Sequence, residues 1–299
     1  MDWVYIVLLA YLLQAVVFIF DSLLVKKQLG NAASYTFFIA ILGLAAFALA
    51  PFGFSLVPQH VFITALFAGG AFTYGSLFLY RALKKHETSR VIPVMGGTIP
   101  VFSFLLSFIF LRERLAESQI LALILLVLGT ILITAPLHHD RRHHIPPIMV
   151  GEMLLSALLF AAWGMLSKRV FMETNFANGI IWVRVGAAIA ALLLLLGPQF
   201  RKHILHGKQR LNAKLGASII ANKTLGAAAG LLILYAIAHG NPTLVQALQG
   251  VQFVFLFGLI VILSHWLPNI AKEDLSPRLV IQKLGSSVII GFGVALLLV

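Results

Sequence analysis

The sequence predicts an all-α integral membrane protein with ten transmembrane helices, arranged as a five-plus-five inverted repeat. The first observation is composition: 60% of the 299 residues are hydrophobic and 11% are charged, too few charges to cover a soluble protein. The second is a series of apolar segments of about 20 residues, the length that crosses a bilayer. The third is an internal repeat, LLQAVVFIFDSLLVKK at Leu12–Lys27 and LLSALLFAAWGMLSKR at Leu154–Arg169, which indicates a duplicated chain.

The apolar segments are expected to be helices, because lipid leaves no backbone polar group unsatisfied and their continuous apolar runs lack the alternation of a membrane barrel. Five segments fall in each half of the chain. In order, the predicted spans are Trp3–Val25, Ser34–Phe52, Val61–Leu83, Val91–Leu111, Gln119–Ala135, Ile148–Phe171, Asn178–Gly197, Leu215–Ala238, Leu244–Trp266 and Ile281–Val299.

The domain organisation follows from the repeat. Residues 1–137 form the first five-helix repeat, residues 138–147 a His/Arg/Pro linker, and residues 148–299 the second repeat. Because five is an odd number of spans, the second repeat must lie inverted relative to the first. Internal repeats of this kind are typical of secondary transporters.

Loop charges support the inversion and predict the orientation. In the first repeat the basic loops follow spans one and three, whereas in the second they follow spans two and four. With the central loop, fifteen basic residues fall on one side; the positive-inside rule makes that side cytoplasmic and places both termini outside. They are Lys26, Lys27, Lys84, Lys85, Arg90, Arg141, Arg142, Arg201, Lys202, Lys208, Arg210, Lys214, Lys272, Arg278 and Lys283.

The net charge of +12 is better explained by these loops than by nucleic-acid binding. Four linker histidines, His138, His139, His143 and His144, surround Asp140 and two arginines. The arginines oppose a bound cation and two prolines follow, so a flexible linker is favoured over a metal site. The absence of cysteine excludes disulfides and thiol chemistry. We expect neither a metal nor a cofactor.

The first repeat also carries a recognisable motif set. Glu87-Thr-Ser-Arg-Val-Ile-Pro93-Val is followed by Pro100, by Arg112-Glu113-Arg114-Leu115, by Gln119 and by Gly129. This pattern resembles the EamA type of the drug/metabolite transporter superfamily. The resemblance implies ten helices in an inverted five-plus-five repeat, transport of small metabolites, and termini in the cytoplasm, opposite to the charge bias.

The second repeat keeps less of the motif set. Gln282, Gly285 and Gly293 echo the last span of the first repeat, while Leu248 and Phe255 stand where the two prolines would be. The acidic-Leu pair has no counterpart there.

Polar residues inside the spans are the candidate substrate-binding residues, since a charge at bilayer depth is costly. Asp21 shares a helix face with Gln14 and Phe18. It could be a titratable carboxylate lining a cavity, or an interfacial residue paired with a nearby lysine. Trp163 occupies the equivalent place in the second repeat and could line the same cavity.

Arg184 lies deep in span seven without an acidic neighbour in sequence. It needs a partner, which could be Asp21, a backbone carbonyl or an anionic substrate. Asn222 and Lys223 interrupt span eight; Lys223 could contact a substrate anion, or the helix could begin only at Thr224.

Gln246, Gln249 and Gln252 open span nine. At 100° per residue they form one stripe, and three amides in lipid must face protein or water. Substrate hydrogen bonding and interhelical amide bonds are both consistent with this stripe. Before it, Asn241-Pro242 predicts a tight turn.

The predicted function is secondary transport of a small polar or amphipathic metabolite or drug by alternating access. The sequence contains no Walker loop and no HExxH motif, so a solute or ion gradient would supply the energy. The alternative is an integral-membrane enzyme or flippase acting on a lipid-linked substrate. The expected location is the plasma (inner) membrane as a multi-pass protein, in contact with membrane lipid; a homodimer is an open alternative to a monomer.

Overall fold

The computed structural model describes residues 2–25, 32–85, 88–135, 147–198, 200–201, 213–266 and 276–298. Within these ranges the chain is a bundle of helices without a strand, and ten segments are long and apolar enough to cross a membrane. The prediction of an all-α membrane protein with ten spans is confirmed. The histidine-rich linker at 138–146 lies outside the described residues.

The helices begin and end within a few residues of the predicted spans. A 3-10 helix, Gly43–Phe52, extends the second helix, and a π-helical turn, Ser107–Leu111, extends the fourth. The helices are α1 Asp2–Val25, α2 Ala32–Leu42, α3 Gln59–Lys85, α4 Thr88–Leu106, α5 Glu117–Thr134, α6 Pro147–Glu173, α7 Phe176–Leu194, α8 Ala213–His239, α9 Pro242–Ala247, α10 Gln249–Trp266 and α11 Pro277–Leu298.

One open alternative is settled and one local expectation was wrong. The helix of span eight starts at Ala213 and contains Lys223, so the later start at Thr224 is excluded. Span nine is not one regular helix: it starts at Pro242 and is interrupted at Leu248. There the Val251 amide donates to the Leu248 carbonyl at 2.9 Å, a hydrogen bond of 3-10 spacing that displaces the regular α-helical one.

The two halves contact each other through equivalent helices. The first helix of each half packs against the third and fourth spans of the other half: α1 against α8 and α10, and α6 against α3 and α4. We call the end of the bundle where α1 begins the N-terminal face, and the other end the opposite face.

The contact between α3 and α7 brings two backbones together. A Cβ atom on Gly69 would lie 2.1 Å from the Ala187 nitrogen, and one on Gly186 would lie 2.5 Å from the Ala65 oxygen. No side chain larger than hydrogen fits between backbones at that separation. Small residues at both positions therefore set the distance between the two helices.

The contact between α5 and α11 is reciprocal. A Cβ on Gly129 would meet Ile290 Cγ1 at 2.5 Å and the Ser286 oxygen at 3.3 Å; a Cβ on Gly293 would meet Leu126 Cγ at 2.9 Å and the Ala122 oxygen at 3.3 Å. Residues 286, 290 and 293 follow residues 122, 126 and 129 by the same number of positions in the sequence. A two-fold axis across an antiparallel helix pair requires this equal spacing. This reciprocity supports the inverted repeat, which stays a prediction for the bundle as a whole.

Candidate functional site

Four side chains from α3, α6 and α7 meet in the interior of the bundle, and Gln246 of α9 contacts the backbone beside them. The Phe72 ring is 5.4 Å from the Trp163 ring and 6.2 Å from the Phe160 ring, centroid to centroid. The Arg184 guanidinium carbon lies 5.1 Å from the centre of the Phe72 ring. Gln246 Nε2 donates to the Phe160 carbonyl at 3.1 Å. We call Phe72, Phe160, Trp163, Arg184 and Gln246 the central cluster.

The central cluster lies near the middle of the membrane. Arg184 is eight residues from the start of α7, so its Cα is about 12 Å from the N-terminal face. Gly230, which the guanidinium approaches, is nine residues from the end of α8, or about 14 Å from that face. A core about 30 Å thick has its midplane at this depth.

Two glycines make room for the Arg184 side chain. A Cβ on Gly43 would lie 3.1 Å from Arg184 Cδ, and one on Gly230 would lie 3.9 Å from Arg184 Nη2. The stem therefore passes the junction of α2 with its 3-10 extension, and the guanidinium reaches from α7 to α8. In the part of the chain that the structure describes, Arg184 has neither an ion pair nor a hydrogen bond.

Gln246 contributes an unsatisfied acceptor to the same region. Its side chain is buried, and its Oε1 has no hydrogen-bond partner among the described residues. A buried amide oxygen without a donor costs about 1–3 kcal/mol. A bound donor, such as a solute hydroxyl or amine, would satisfy it.

Gln14 lies at the same depth as the Arg184 guanidinium. Trp3 packs on Gly240 and Val17 on Gly226, so this antiparallel register puts Gly230 level with position 13 of α1. The exposed residues Tyr5, Leu9 and Phe20 mark the lipid side of α1, and at 100° per residue Gln14 lies on the other side.

The other two glutamines of the predicted stripe are in α10. Gln252 is buried and Gln249 partly buried, as an inward stripe requires. Neither makes a hydrogen bond within the described ranges, so whether they bind substrate stays a prediction.

The remaining predicted residues lie closer to the opposite face. Asn222 Nδ2 donates to the Val17 carbonyl at 3.5 Å, and Lys223 Nζ donates to the Tyr35 hydroxyl. The register of α1 against α8 places Asp21 level with Asn222, about 12 Å from the depth of Gly230. The side chain of Asp21 lies outside the described residues.

A second polar group closes the N-terminal face beside α8. Asn241 caps α9 through its Oδ1 and donates from Nδ2 to Glu113 Oε2 at 2.6 Å. Lys168 Nζ donates to the carbonyl of Ala238 in the last turn of α8 and to that of Gly240, just after the helix, at 2.9 Å each. The tight turn predicted at Asn241-Pro242 is confirmed. We call Glu113, Lys168 and Asn241 the Glu113 cluster.

Further hydrogen bonds at the N-terminal face connect residues 53–55 to the start of α7. Asn175 Nδ2 donates to the Gly53 carbonyl at 2.9 Å, Asn178 Nδ2 to Ser55 Oγ at 3.0 Å, and Trp182 Nε1 to the Ser55 carbonyl at 3.0 Å. The segment after the 3-10 helix is thereby tied to the start of α7. Polar contacts thus hold the N-terminal face closed on two sides of the central cluster.

Glu113 gives this closure a pH dependence. Burial raises the pKa of its carboxyl above the ordinary 4.5, and the positive charge of Lys168 partly offsets the shift. A raised folded-state pKa favours the protonated form, so the stability it contributes is complete below pH 4.5 and is lost as the pH rises through the raised value.

We expect Glu113→Gln, which mimics the protonated carboxyl, to remove this loss of stability at higher pH. The thermal midpoints of variant and wild type should agree near pH 4, and the wild type should fall below the variant toward pH 7. Glu117→Gln, which removes an exposed carboxylate at the same face, is the control. Parallel pH profiles for wild type and Glu113→Gln would contradict the assignment.

Sequence reasoning missed part of each site. Phe72 and Phe160 lie in apolar spans, where an aromatic residue has no distinguishing signal. Glu113 stood out only as a motif residue, and nothing near it in sequence identified Asn241 as its partner. The ion pair between Arg81 and Glu152, at 3.0 Å, could have been sought, because both charges fall inside apolar segments.

Comparisons with known proteins agree with this architecture. The EamA-like transporter family matches residues 1–135. The mouse (Mus musculus) protein solute carrier family 35 member F6 is 29% identical over 154 residues, 49% of this chain and 41% of that protein. An uncharacterized protein of Methanocaldococcus jannaschii is 32% identical over 79 residues, 26% of this chain and 57% of that protein.

The chain spans about half the length of the curated relatives it matches. A solved crystal structure of a protein has a TM-score of 0.69 to this chain at 19% identity. The matched region covers 99% of this chain and 95% of the chain in that structure. At that identity the likeness shows the fold alone.

Proposed function

We propose that this chain, whose first 135 residues match the EamA-like transporter family, is a secondary transporter of the drug/metabolite transporter superfamily that moves a small polar or amphipathic metabolite or drug across the plasma membrane. Its ten apolar helices support a multi-pass membrane protein. The solute would bind at the central cluster, and a gradient would drive its movement.

One observation carries the proposal: the central cluster holds two uncompensated polar groups, Arg184 at mid-membrane depth and Gln246 beside Phe160. Arg184 has no counter-charge in the described ranges, and Gln246 Oε1 has no donor. A charged side chain at the centre of a helix costs about 2.5–3.5 kcal/mol in insertion measurements. A polar solute that enters the bundle would compensate both groups, which makes these costs part of a binding site.

The closed N-terminal face supports alternating access. The Glu113 cluster and the Ser55 contacts lie between the central cluster and that face. In this conformation a solute would reach the cluster from the opposite face. Transport would require these contacts to break while the opposite face closes.

The experiment uses single cysteines, because the native chain has none. In purified protein reconstituted into liposomes, we expect Gln14→Cys to react with a membrane-impermeant maleimide. Labelling should be faster from the opposite face and slower, but measurable, from the N-terminal face. Leu9→Cys, on the lipid side of the same helix, should stay unlabelled because a thiol in lipid meets no aqueous reagent.

The outcomes separate the two classes of function. Labelling from one face only, under every condition, would favour an enzyme that opens its site to a single side. Equal protection of Gln14→Cys and Leu9→Cys would contradict a water-accessible interior and leave a structural subunit.

A further inference from the structure

We propose that Arg184 docks an oxyanion of the transported solute, so that the substrate is a small organic anion carrying a carboxylate or a phosphate. This inference rests on the transport function proposed above. It assigns the charge class of the solute and the residue that selects it.

The first step is the missing counter-ion. The ion pairs of the described residues are His60–Glu173, Arg81–Glu152 and Arg169–Glu173, and none includes Arg184. The backbone of Asp21, in α1, is about 12 Å further from the N-terminal face than Gly230. The guanidinium points to Gly230, away from that depth.

The second step concerns the N–H groups at the edge of the Arg184 guanidinium. Phe72 covers one face of the guanidinium through a cation–π contact. No described residue accepts a hydrogen bond from its N–H groups. The planar fork of a guanidinium binds the two oxygens of a carboxylate or phosphate in parallel. A neutral solute could not supply the compensating charge.

The third step is the space in front of the fork. A Cβ atom added to Gly230 would lie 3.9 Å from Arg184 Nη2. An alanine there would make an ordinary van der Waals contact, whereas a longer side chain would occupy the position of the anion. Phe160, Trp163 and the acceptor of Gln246 lie on the α6 side, where a hydrogen-bond donor of the solute would satisfy Gln246 Oε1.

The fourth step is the electrostatic path. Lys223 lies seven residues before Gly230 on the same face of α8, about 10 Å nearer the opposite face. Among the described residues, Lys84, Lys85, Arg201 and Arg278 also lie at that face. Positive charge along an entrance raises the local concentration of anions and their rate of association.

The test measures binding rather than transport. Purified protein in detergent is titrated with four probes of similar size: phenylacetate, phenyl phosphate, phenylacetamide and phenethylamine. We expect saturable increases of the thermal midpoint with the two anions and none with the amide or the amine. The two anionic probes distinguish a carboxylate substrate from a phosphate substrate.

Variants then connect binding to Arg184. Arg184→Gln should weaken the apparent affinity for the anion by about tenfold or more. Arg169→Gln removes the same charge from an exposed residue and should bind as the wild type does. Because Arg184→Gln could fail to fold, Gly230→Leu is compared with Gly230→Ala: leucine should abolish the anion-dependent shift and alanine should retain it.

The contrary results are equally specific. Stabilisation by the amide or the amine but by neither anion would overturn the charge class while leaving transport intact. An unchanged anion response in Arg184→Gln or in Gly230→Leu would remove Arg184 as the docking residue, and no saturable shift with any of the four probes counts against the proposal. One-sided labelling of Gln14→Cys with normal anion binding would contradict the proposed transport and not this inference.

Discussion

Gly69→Ala is expected to abolish the accumulation of folded protein. The added methyl would lie 2.1 Å from the Ala187 nitrogen and 2.4 Å from the Val183 carbonyl oxygen. Both are backbone atoms of α7 and cannot rotate away, so α3 and α7 must separate along their length. Overpacking of this kind costs about 3 kcal/mol, a large part of the stability of a typical domain. Size-exclusion profiles of membrane-extracted protein measure the effect.

The neighbouring glycine provides the control. A Cβ on Gly70 would meet only Ala190 Cβ, at 3.9 Å, which is an ordinary contact. Gly70→Ala should therefore fold as the wild type does, with a change within about 1 kcal/mol that reflects helix propensity. Equal behaviour of the two variants would mean that α3 and α7 are not held at this separation in the membrane.

Lys168→Met is expected to open the N-terminal face. The methionine keeps the length of the side chain but loses the donors to the Ala238 and Gly240 carbonyls and the charge that faces Glu113. Hydrogen bonds from a charged donor are worth about 1.5–3 kcal/mol when buried. Lys168 is half-buried, so we expect a smaller effect, a shift of about tenfold toward the open form.

The labelling rate of Gln14→Cys from the N-terminal face reports that shift. Arg169→Met is the matched control, because it removes the adjacent cation, which is exposed and pairs with Glu173 at 3.0 Å. Its labelling rate should equal that of the parent Gln14→Cys protein. A Lys168→Met rate equal to that of the control would show that the Glu113 cluster does not hold the face closed.

The bundle and part of its central cluster could be predicted from the sequence. Lipid imposes helices of fixed length on apolar segments, which is why the ten spans were found. Trp163, Arg184 and Gln246 were all predicted, because a repeat match and polar residues inside spans leave clear signals, and the structure brings the three together.

The rest depended on contacts between distant segments. The sequence gives no signal of the helix interruption at Leu248, because leucine is a good helix former and no proline stands there. Phe72 became part of the site only because α3 packs on both α6 and α7. Asn222 and Lys223 contact Val17 and Tyr35, partners that lie far from them in sequence, and their binding of substrate stays a prediction.

The reciprocal α5–α11 contact bears on how such a chain could arise. Each helix of the pair supplies both a glycine and the residues that cover the other helix's glycine. If the two halves descend from one five-helix copy, as the predicted inverted repeat implies, that copy displayed a self-complementary surface through which two oppositely inserted copies could pair before their genes were joined. The archaeal relative fits this size: its 79 matched residues are 57% of its length, so 79/0.57 gives about 139 residues, close to one five-helix half of this chain.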